Sequence, residues 1–170
     1  VIDIKSFNQA MEAQKEEARA SWKGSGDTAT QKIWFELAKK YNPTIFNGYE
    51  KNSVKSKILS ILHNSNEVDF LKDHSIEGCI ITENTCFYGE SGGQVGDTGT
   101  IKSKNGEFLV TDTKKTPQGI FIHFGKLISG SMKVSEDVDL SINEERRSLI
   151  MKNHSATHLL HAALRNTLGN

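Results

Sequence analysis

Residues 98–124 read TGTIKSKNGEFLVTDTKKTPQGIFIHF, and this stretch decides the fold. It contains three β-like runs: Thr98 to Ser103, Glu107 to Thr113 and Ile120 to Phe124. The turn signals Lys104-Asn105-Gly106 and Pro117-Gln118-Gly119 separate these runs. Short strands joined by glycine- or proline-containing turns are typical of antiparallel sheets. The stretch therefore predicts three consecutive antiparallel strands.

Runs of the same kind flank this stretch on both sides. They are Ile45-Phe46, Val54 to Leu62, Gly78 to Thr82 and Val138 to Ile142, with Ser129-Gly130 as a further turn. Seven short runs at these intervals are typical of a small antiparallel barrel.

Helical periodicity occupies the two ends of the chain. A capping-box pattern at Ser6 and Gln9 predicts a helix over 6–22, and a second helix is expected from Thr28 to Tyr41, before Pro43. A third helix is expected from about Glu144 to Leu168, capped by Asn143 or Ser141. The fold class is therefore α+β: an N-terminal helical segment, a small antiparallel β-barrel and a C-terminal amphipathic helix.

Charge and composition restrict the possible partners. The 170 residues contain 21 Lys and Arg against 21 Asp and Glu, so any RNA contact must be local. Candidate basic patches are Lys39-Lys40, Lys51 with Lys55 and Lys57, Lys114-Lys115, and Arg146-Arg147 with Lys152.

Cys79 and Cys86 match no zinc-knuckle spacing and are expected to be buried free thiols. We expect a cytoplasmic protein with no membrane partner, because no apolar run approaches about 20 residues and no signal peptide is recognised.

The run His154-Ser155-Ala156-Thr157-His158 lies in the C-terminal helix. Histidines four residues apart share a helix face and can direct two imidazoles at one cation, which is half of a zinc site. His161 lies one turn further along the same face. Ordinary surface histidines remain the alternative. Ser155 stands where H-E-x-x-H proteins carry glutamate, which disfavours a metalloprotease of that type.

The second informative segment is Thr85-Cys86-Phe87-Tyr88-Gly89-Glu90-Ser91-Gly92-Gly93-Gln94-Val95-Gly96-Asp97-Thr98-Gly99. Its glycines are compatible with a loop whose backbone approaches a ligand. They are equally compatible with a hairpin that needs left-handed residues. The residues alone leave both interpretations open.

Together, T-x-F-Y-x-x-S-G-G-Q-x-x-D-x-G and the later H-S-A-T-H resemble the editing domain of alanyl-tRNA synthetases and their free-standing relatives. The N-terminal helical residues resemble the linker that precedes this domain in bacterial-type enzymes. The resemblance implies three parts: a helical linker over 1–42, a translation-factor-like barrel over 43–142, and the first helix of a zinc-binding α/β editing core over 143–170. It identifies the chain as an internal piece of a longer enzyme.

The activity implied by the resemblance is hydrolysis of the ester in alanine tRNA that wrongly carries serine or glycine. Zinc would be held by His154 and His158 together with a cysteine and a histidine of a later C-x-x-x-H segment. No C-x-x-x-H occurs in these 170 residues. We therefore expect the isolated chain to bind zinc weakly and to be inactive. ATP and Mg²⁺ would serve only the synthetic domain of the parent ligase, outside this segment.

The resemblance also implies roles for residues of the glycine segment. Gly92 and Gly93 would line the substrate pocket, and Gln94 and Thr85 would belong to the catalytic site. The Thr85 hydroxyl would recognise the hydroxyl of serine, while the Gln94 amide can donate and accept. A turn cap at Gln94 and an ordinary strand residue at Thr85 are the alternatives. Glu90 and Asp97 receive no catalytic role, since lone carboxylates are usually solvated.

Two other functions remain open: a non-catalytic RNA- or protein-binding barrel, and an unrelated zinc hydrolase. The C-terminal helix also carries more apolar surface than a barrel edge can bury, so we expect it to self-associate. These apolar residues are Leu149, Ile150, Ala156, Leu159, Leu160, Ala163, Leu164 and Leu168.

Overall fold

A computed structural model describes residues 28–72 and 76–169 of the chain. The helix expected over 6–22 lies outside the described residues, as does most of the linker expected over 1–42. The chain divides between Ile33 and Trp34 into two compact units. The fold described below is that of the second unit, except that its first helix begins at Thr28, before the boundary.

The described residues form two helices and eleven strands. Helix α1 spans Thr28–Lys40, and α2 spans Glu144–Leu168. The strands between them are β1 Ile45–Phe46, β2 Ser53–His63, β3 Asn66–Val68, β4 Phe70–Leu71, β5 Glu77–Thr82, β6 Asn84–Thr85, β7 Gly99–Ser103, β8 Gly106–Lys115, β9 Phe121–Gly130, β10 Met132–Lys133 and β11 Asp137–Ile142.

Six strands close into an antiparallel barrel in the order β2, β5, β9, β8, β7, β11. Closure depends on β11, which pairs with a different strand along each of its edges. Leu140 lies opposite Ile101 of β7 on one side and opposite Val54 of β2 on the other. Because β11 is paired on both sides, the sheet returns to its first strand. The predicted α+β class with a small barrel and a C-terminal helix is confirmed.

Alternation of apolar and polar residues directs the side chains of β11. Val138, Leu140 and Ile142 are buried, whereas Asp137 and Asp139, which precede the first two of them, are exposed. This period of two is what a half-buried strand requires. The other strands add aliphatic and aromatic side chains to one continuous core. Its fully buried members include Ile58, Ile61, Ile80, Phe87, Ile101, Phe108, Leu127 and Met132.

All seven β-like runs recognised in the sequence correspond to strands, and β8 and β9 extend further than predicted. Gly130, expected in a turn, is instead the last residue of β9 and has a φ of +66°. Four short strands were missed: β3, β4, β6 and β10. Each has only two or three residues, too few to show an alternating pattern.

Helix α2 begins where expected, because the Asn143 side chain accepts the backbone N–H of Arg146 at 2.9 Å. Beyond Ile150 every described residue of the helix is exposed. Leu159 and Leu160 expose 72% and 61% of their surface. The expected self-association stays a prediction. Neither described helix is long and apolar enough to cross a membrane.

A histidine lies in the barrel core. His123 of β9 is fully buried and meets the Phe87 ring edge-on, with centroids 5.2 Å apart. Its Nδ1 is 2.9 Å from the Ile80 carbonyl oxygen, which can only accept, so Nδ1 carries the proton. Nε2 then accepts from the Thr85 hydroxyl at 2.8 Å. Burial lowers the pKa of His123 to about 4, although the bond to Ile80 opposes this shift.

This buried histidine predicts a loss of stability in mild acid. The folded pKa lies below the ordinary value of 6.5, so the unfolded state binds more protons between these two values. The His123 contribution is complete above about pH 6.5 and is lost as pH falls towards 4, to a limit of about 3 kcal/mol. We expect His123→Gln, which keeps a donor and an acceptor, to reduce this pH dependence in urea unfolding. His161→Gln, on exposed α2, should leave it unchanged, and equal slopes for all three proteins would contradict the prediction.

Candidate functional site

The glycine segment forms a tight hairpin, here called the glycine hairpin and defined as residues 88–97. At its tip the Ser91 and Gln94 backbones exchange hydrogen bonds of 3.2 and 3.0 Å. Gly92 and Gly93 between them have φ values of +58° and +81°. Two consecutive residues with positive φ are typical of a type I′ turn, which favours glycine at both positions. A Cβ at either position would meet no atom within 4 Å, so the tip is open.

The base of the glycine hairpin is packed against strand β8. The Glu90 N–H donates to the Thr113 carbonyl at 2.8 Å, and the buried Thr113 hydroxyl donates to the Asp97 carbonyl at 2.9 Å. A Cβ at Gly96 would overlap the Thr113 carbonyl, and one at Gly89 would lie 2.8 Å from the Lys115 Cβ. The outer glycines therefore allow close packing of the base, while the inner pair forms an open tip.

Asp97 closes the hairpin and is itself buried. Its backbone N–H donates to the Tyr88 carbonyl at 2.9 Å, and its carboxylate accepts the Tyr88 N–H at 2.7 Å. The carboxylate also receives the guanidinium of Arg147, whose Nε lies 2.9 Å from both oxygens and whose Nη2 contacts Oδ2. The Asp97 side chain is 3% exposed and that of Arg147 13% exposed. The expectation of a solvated Asp97 is therefore wrong.

Arg147 also binds two further parts of the molecule. It lies in the first turn of α2, and its Nη1 and Nη2 donate to the carbonyls of Gly48 and Cys86, both at 3.0 Å. The neighbouring Arg146 donates to the Gly96 carbonyl at 2.7 Å. Arg147 therefore does not belong to the candidate basic patch of Arg146-Arg147 with Lys152, because its guanidinium binds the protein interior. These bonds attach the start of α2 to the glycine hairpin.

His154 and His158 lie on the exposed part of α2, as the spacing predicts. Their Nε2 atoms are 3.1 Å apart. Two imidazole nitrogens on one tetrahedral zinc, each at about 2.0–2.1 Å, lie about 3.3 Å apart, so the pair fits two corners of such a site. Within the described residues, no group of three or more His, Cys, Asp or Glu side chains is arranged to hold a metal.

Thr85, at the end of β6, lies behind the glycine hairpin. It is fully buried. Its hydroxyl donates to His123 Nε2 at 2.8 Å and accepts the Phe87 N–H at 3.0 Å. The hydroxyl thus links the histidine of the core to the segment that leads from β6 into the hairpin. Its proposed contact with a substrate hydroxyl stays a prediction.

The remaining candidate groups are Gln94 and the two cysteines. Gln94 is half-buried at the hairpin tip. Cys79 and Cys86 are free thiols, and burial raises the pKa of Cys79 to about 12 and that of Cys86 to about 11, so neither is a ready thiolate. An open cleft between α2 and the barrel contains no predicted site residue. It is lined by Asn52, Glu144, Arg147, Ser148, Met151, Lys152, Ser155, Ala156 and Leu159.

The sequence did not identify the Arg147–Asp97 pair. Fifty residues separate the two side chains, and single charges carry no signal of burial. A weak indication was present, because Asp97 stands between Gly96 and Gly99 in a segment whose other residues are mostly small or apolar. The structure thus adds two residues to the candidate site: Asp97, which received no role from the sequence, and Arg147, which the sequence placed only in a candidate basic patch.

The chain belongs to the tRNA synthetases of class II (A), because the pattern of that family matches residues 1–146. It is similar to proteins named alanine–tRNA ligase. Identity is 45% over 168 residues with that of Chelativorans sp. (strain BNC1), and 46% over 168 residues with that of Rhodopseudomonas palustris (strain ATCC BAA-98 / CGA009). It is 46% over 169 residues with that of Rhizobium meliloti (strain 1021). Each match covers 99% of this chain and 19% of the relative, so the chain spans about a fifth of the length of the curated relatives it matches.

We expect Asp97→Asn to destabilise the fold by about 3–5 kcal/mol, since it leaves a buried guanidinium without its counter-charge. Adding Arg147→Met to Asp97→Asn should recover part of the loss, because the unpaired charge is removed. The control is Glu107→Gln, which breaks the 3.1 Å pair with the exposed Lys102 and should cost no more than about 1 kcal/mol. Urea unfolding of the four proteins measures these differences. If Asp97→Asn and Glu107→Gln lowered the free energy of unfolding equally, the buried pair would be no more important for stability than the exposed one, and the prediction would be wrong.

Proposed function

We propose that this chain is the editing segment of an alanine–tRNA ligase, which hydrolyses the ester of alanine tRNA that carries serine or glycine. The observation that carries the proposal is the attachment of α2 to the glycine hairpin through Arg147 and Asp97. These two elements bear the paired histidines and the open backbone turn. The names of the relatives support the ligase, and the motif resemblance supports the editing role.

The need for such a reaction has a physical basis. A synthetic pocket shaped for the methyl group of alanine cannot strongly reject glycine, which is smaller, or serine, which adds one hydroxyl. Discrimination by binding alone is therefore limited, and a separate hydrolytic site removes the errors. In the ligase, ATP and Mg²⁺ serve the synthetic reaction and have no role in this segment.

His154 and His158 would hold zinc through their facing Nε2 atoms. When bound, zinc polarises a carbonyl oxygen or lowers the pKa of a coordinated water towards neutrality. Two histidines provide too few ligands for a tight site, so other ligands must come from elsewhere in the ligase. The isolated chain is accordingly proposed to bind zinc weakly and to be inactive.

The tip of the glycine hairpin would receive the aminoacyl end of the tRNA. Gly92 and Gly93 have no side chains, so their backbone can approach the ester closely. The Gln94 amide beside them can donate a hydrogen bond to one substrate group and accept one from another. For Thr85 to donate to the serine hydroxyl, its own hydroxyl must leave His123 Nε2, whereas its oxygen, which among the described residues accepts only the Phe87 N–H, can accept a second hydrogen bond without that change. Without substrate, its role is to support the Phe87 backbone behind the hairpin.

Replacing His154 or His158 with Ala in a full-length alanine–tRNA ligase that carries this segment should abolish deacylation of serine-charged alanine tRNA. Loss of a residue that only orients a metal ligand costs about 10–100-fold, so loss of a ligand should cost at least about 100-fold. Zinc content, measured by atomic absorption, should fall in parallel. His161→Ala is the matched control on the same helix, and alanylation should be unchanged in all variants. Unchanged hydrolysis in both His154→Ala and His158→Ala would refute the zinc assignment.

Replacing Gly93 with Val in the same full-length ligase should abolish deacylation while the barrel stays folded. A Cβ there meets no neighbouring atom, so the effect on stability comes only from the φ of +81°, about 1–2 kcal/mol. Gly93→Asn separates backbone strain from substrate approach, because Asn tolerates the left-handed conformation but still adds a side chain. We expect both variants to lose activity and to retain their circular dichroism. Full activity of Gly93→Asn would show that the turn conformation alone matters.

A further inference from the structure

Tyr49 is the most exposed large hydrophobic side chain in the described part of the chain, with 86% of its surface accessible. It lies at the tip of a turn in which the Glu50 and Lys51 N–H groups donate to the Asn47 carbonyl, at 3.2 and 3.1 Å. A ring so exposed buries little apolar surface, so it adds little to the stability of the fold. Its position therefore points to a role in binding.

The turn that presents Tyr49 is firmly held by the site described above. The Asn47 N–H donates to the Thr85 carbonyl at 2.8 Å, and Arg147 donates to the Gly48 carbonyl at 3.0 Å. Gly48 is buried and packs so closely on the Cys86 carbonyl that a Cβ would overlap it. The turn is thus attached to both α2 and the strand that enters the glycine hairpin. Tyr49 projects from a backbone with little freedom to move.

The Tyr49 ring is also continuous with an aromatic row that reaches the glycine hairpin. It contacts Phe46 edge-on at a centroid distance of 5.0 Å. Phe46 stacks on Phe121 at 5.3 Å, with 5° between the planes, and meets Tyr88 edge-on at 6.4 Å. Tyr88 is the first residue of the glycine hairpin. The exposed ring therefore lies at one end of a row whose other end is the base of the glycine hairpin.

Charged side chains lie along the aromatic row and next to Tyr49 in the sequence. Lys115 Nζ lies 5.3 Å from the Phe121 centroid, and the exposed Lys51 and Glu50 follow Tyr49 directly. A protein partner requires a broad, uncharged apolar centre at its interface, which a single ring among charges does not provide. An unpaired nucleotide requires one aromatic face for its base and a nearby cation for its phosphate. The exposed Tyr49 ring and the exposed Lys51 that follows it provide these two groups, so a nucleotide is the better partner.

We propose that Tyr49 is a stacking platform for an unpaired nucleotide at the 3′ end of the tRNA. This inference rests on the proposed function, because the proposed function is what places the 3′ end of the tRNA beside the glycine hairpin. Stacking on an aromatic face accepts any base, since every base has a π-face. The ring is therefore a binding residue that positions the aminoacyl end.

The test compares Tyr49→Ala and Tyr49→Phe in the full-length ligase, with serine-charged alanine tRNA as substrate. Tyr49→Ala should raise KM for deacylation about tenfold with little change in kcat, since stacking of one base contributes binding of that order. Tyr49→Phe keeps the ring and should behave as the wild type. Phe70→Ala is the matched control, because Phe70 is 51% exposed and has its own lysine, Lys72, 4.5 Å from its centroid. It lies on the separate β4–β10 pair.

A binding measurement separates this inference from the proposed function. Uncharged alanine tRNA with 2-aminopurine in its unpaired 3′ end should lose fluorescence on binding to the wild type, Tyr49→Phe and Phe70→Ala, but not to Tyr49→Ala. If the wild type fails to deacylate but shows this pattern, the editing proposal is wrong and the platform stands. If the wild type deacylates and Tyr49→Ala has an unchanged KM and normal quenching, the platform is refuted. An effect of Tyr49→Phe equal to that of Tyr49→Ala would also refute stacking, because the ring is retained.

Discussion

The buried bond between Arg147 and Asp97 is the interaction on which the arrangement of the candidate site depends. The guanidinium of Arg147 binds both oxygens of Asp97 and also the carbonyls of Gly48 and Cys86. One side chain thus connects the first turn of α2, the end of the glycine hairpin, the turn that bears Tyr49 and the strand that precedes the hairpin. A lysine could not replace it, because only the planar guanidinium offers several donors in fixed directions.

The Arg147–Asp97 pair contributes more to the orientation of α2 than to the stability of the fold. A buried ion pair recovers little more than the free energy lost when its two charges leave water, and apolar replacements are often equally stable. Beyond Ile150, α2 has no buried residue that could fix its direction. The seven residues from Arg147 to His154 advance about 10 Å along the axis at 1.5 Å per residue, so a small rotation at Arg147 displaces the histidines by several times more than the anchor. A rigid attachment at the start of the helix limits that displacement.

The barrel could be predicted from the sequence because its strands are amphipathic and local. Val138, Leu140 and Ile142 alternate with polar residues, and Asn143 caps the following helix through its own side chain. Those signals lie within a few residues of the structure they determine. The site could be predicted only in part. The spacing of His154 and His158 defines a shared helix face, but the Arg147–Asp97 pair and the His123–Thr85 bond join residues 50 and 38 positions apart, which no local pattern reveals.

The glycine segment can be both a hairpin and a loop that approaches a ligand, because its outer and inner glycines have different roles. Gly89 and Gly96 are structural, because a Cβ at either would meet β8, whereas Gly92 and Gly93 face open space. A functional backbone must be held within a fraction of an ångström, and this is easier when its support is rigid. The hairpin meets that condition, since Glu90 and Asp97 at its base are bonded to Thr113 of β8 while its tip carries no side chain at the two inner positions. Gly92 and Gly93 therefore serve both purposes: they adopt the conformation that the turn requires, and they leave its tip open to a substrate.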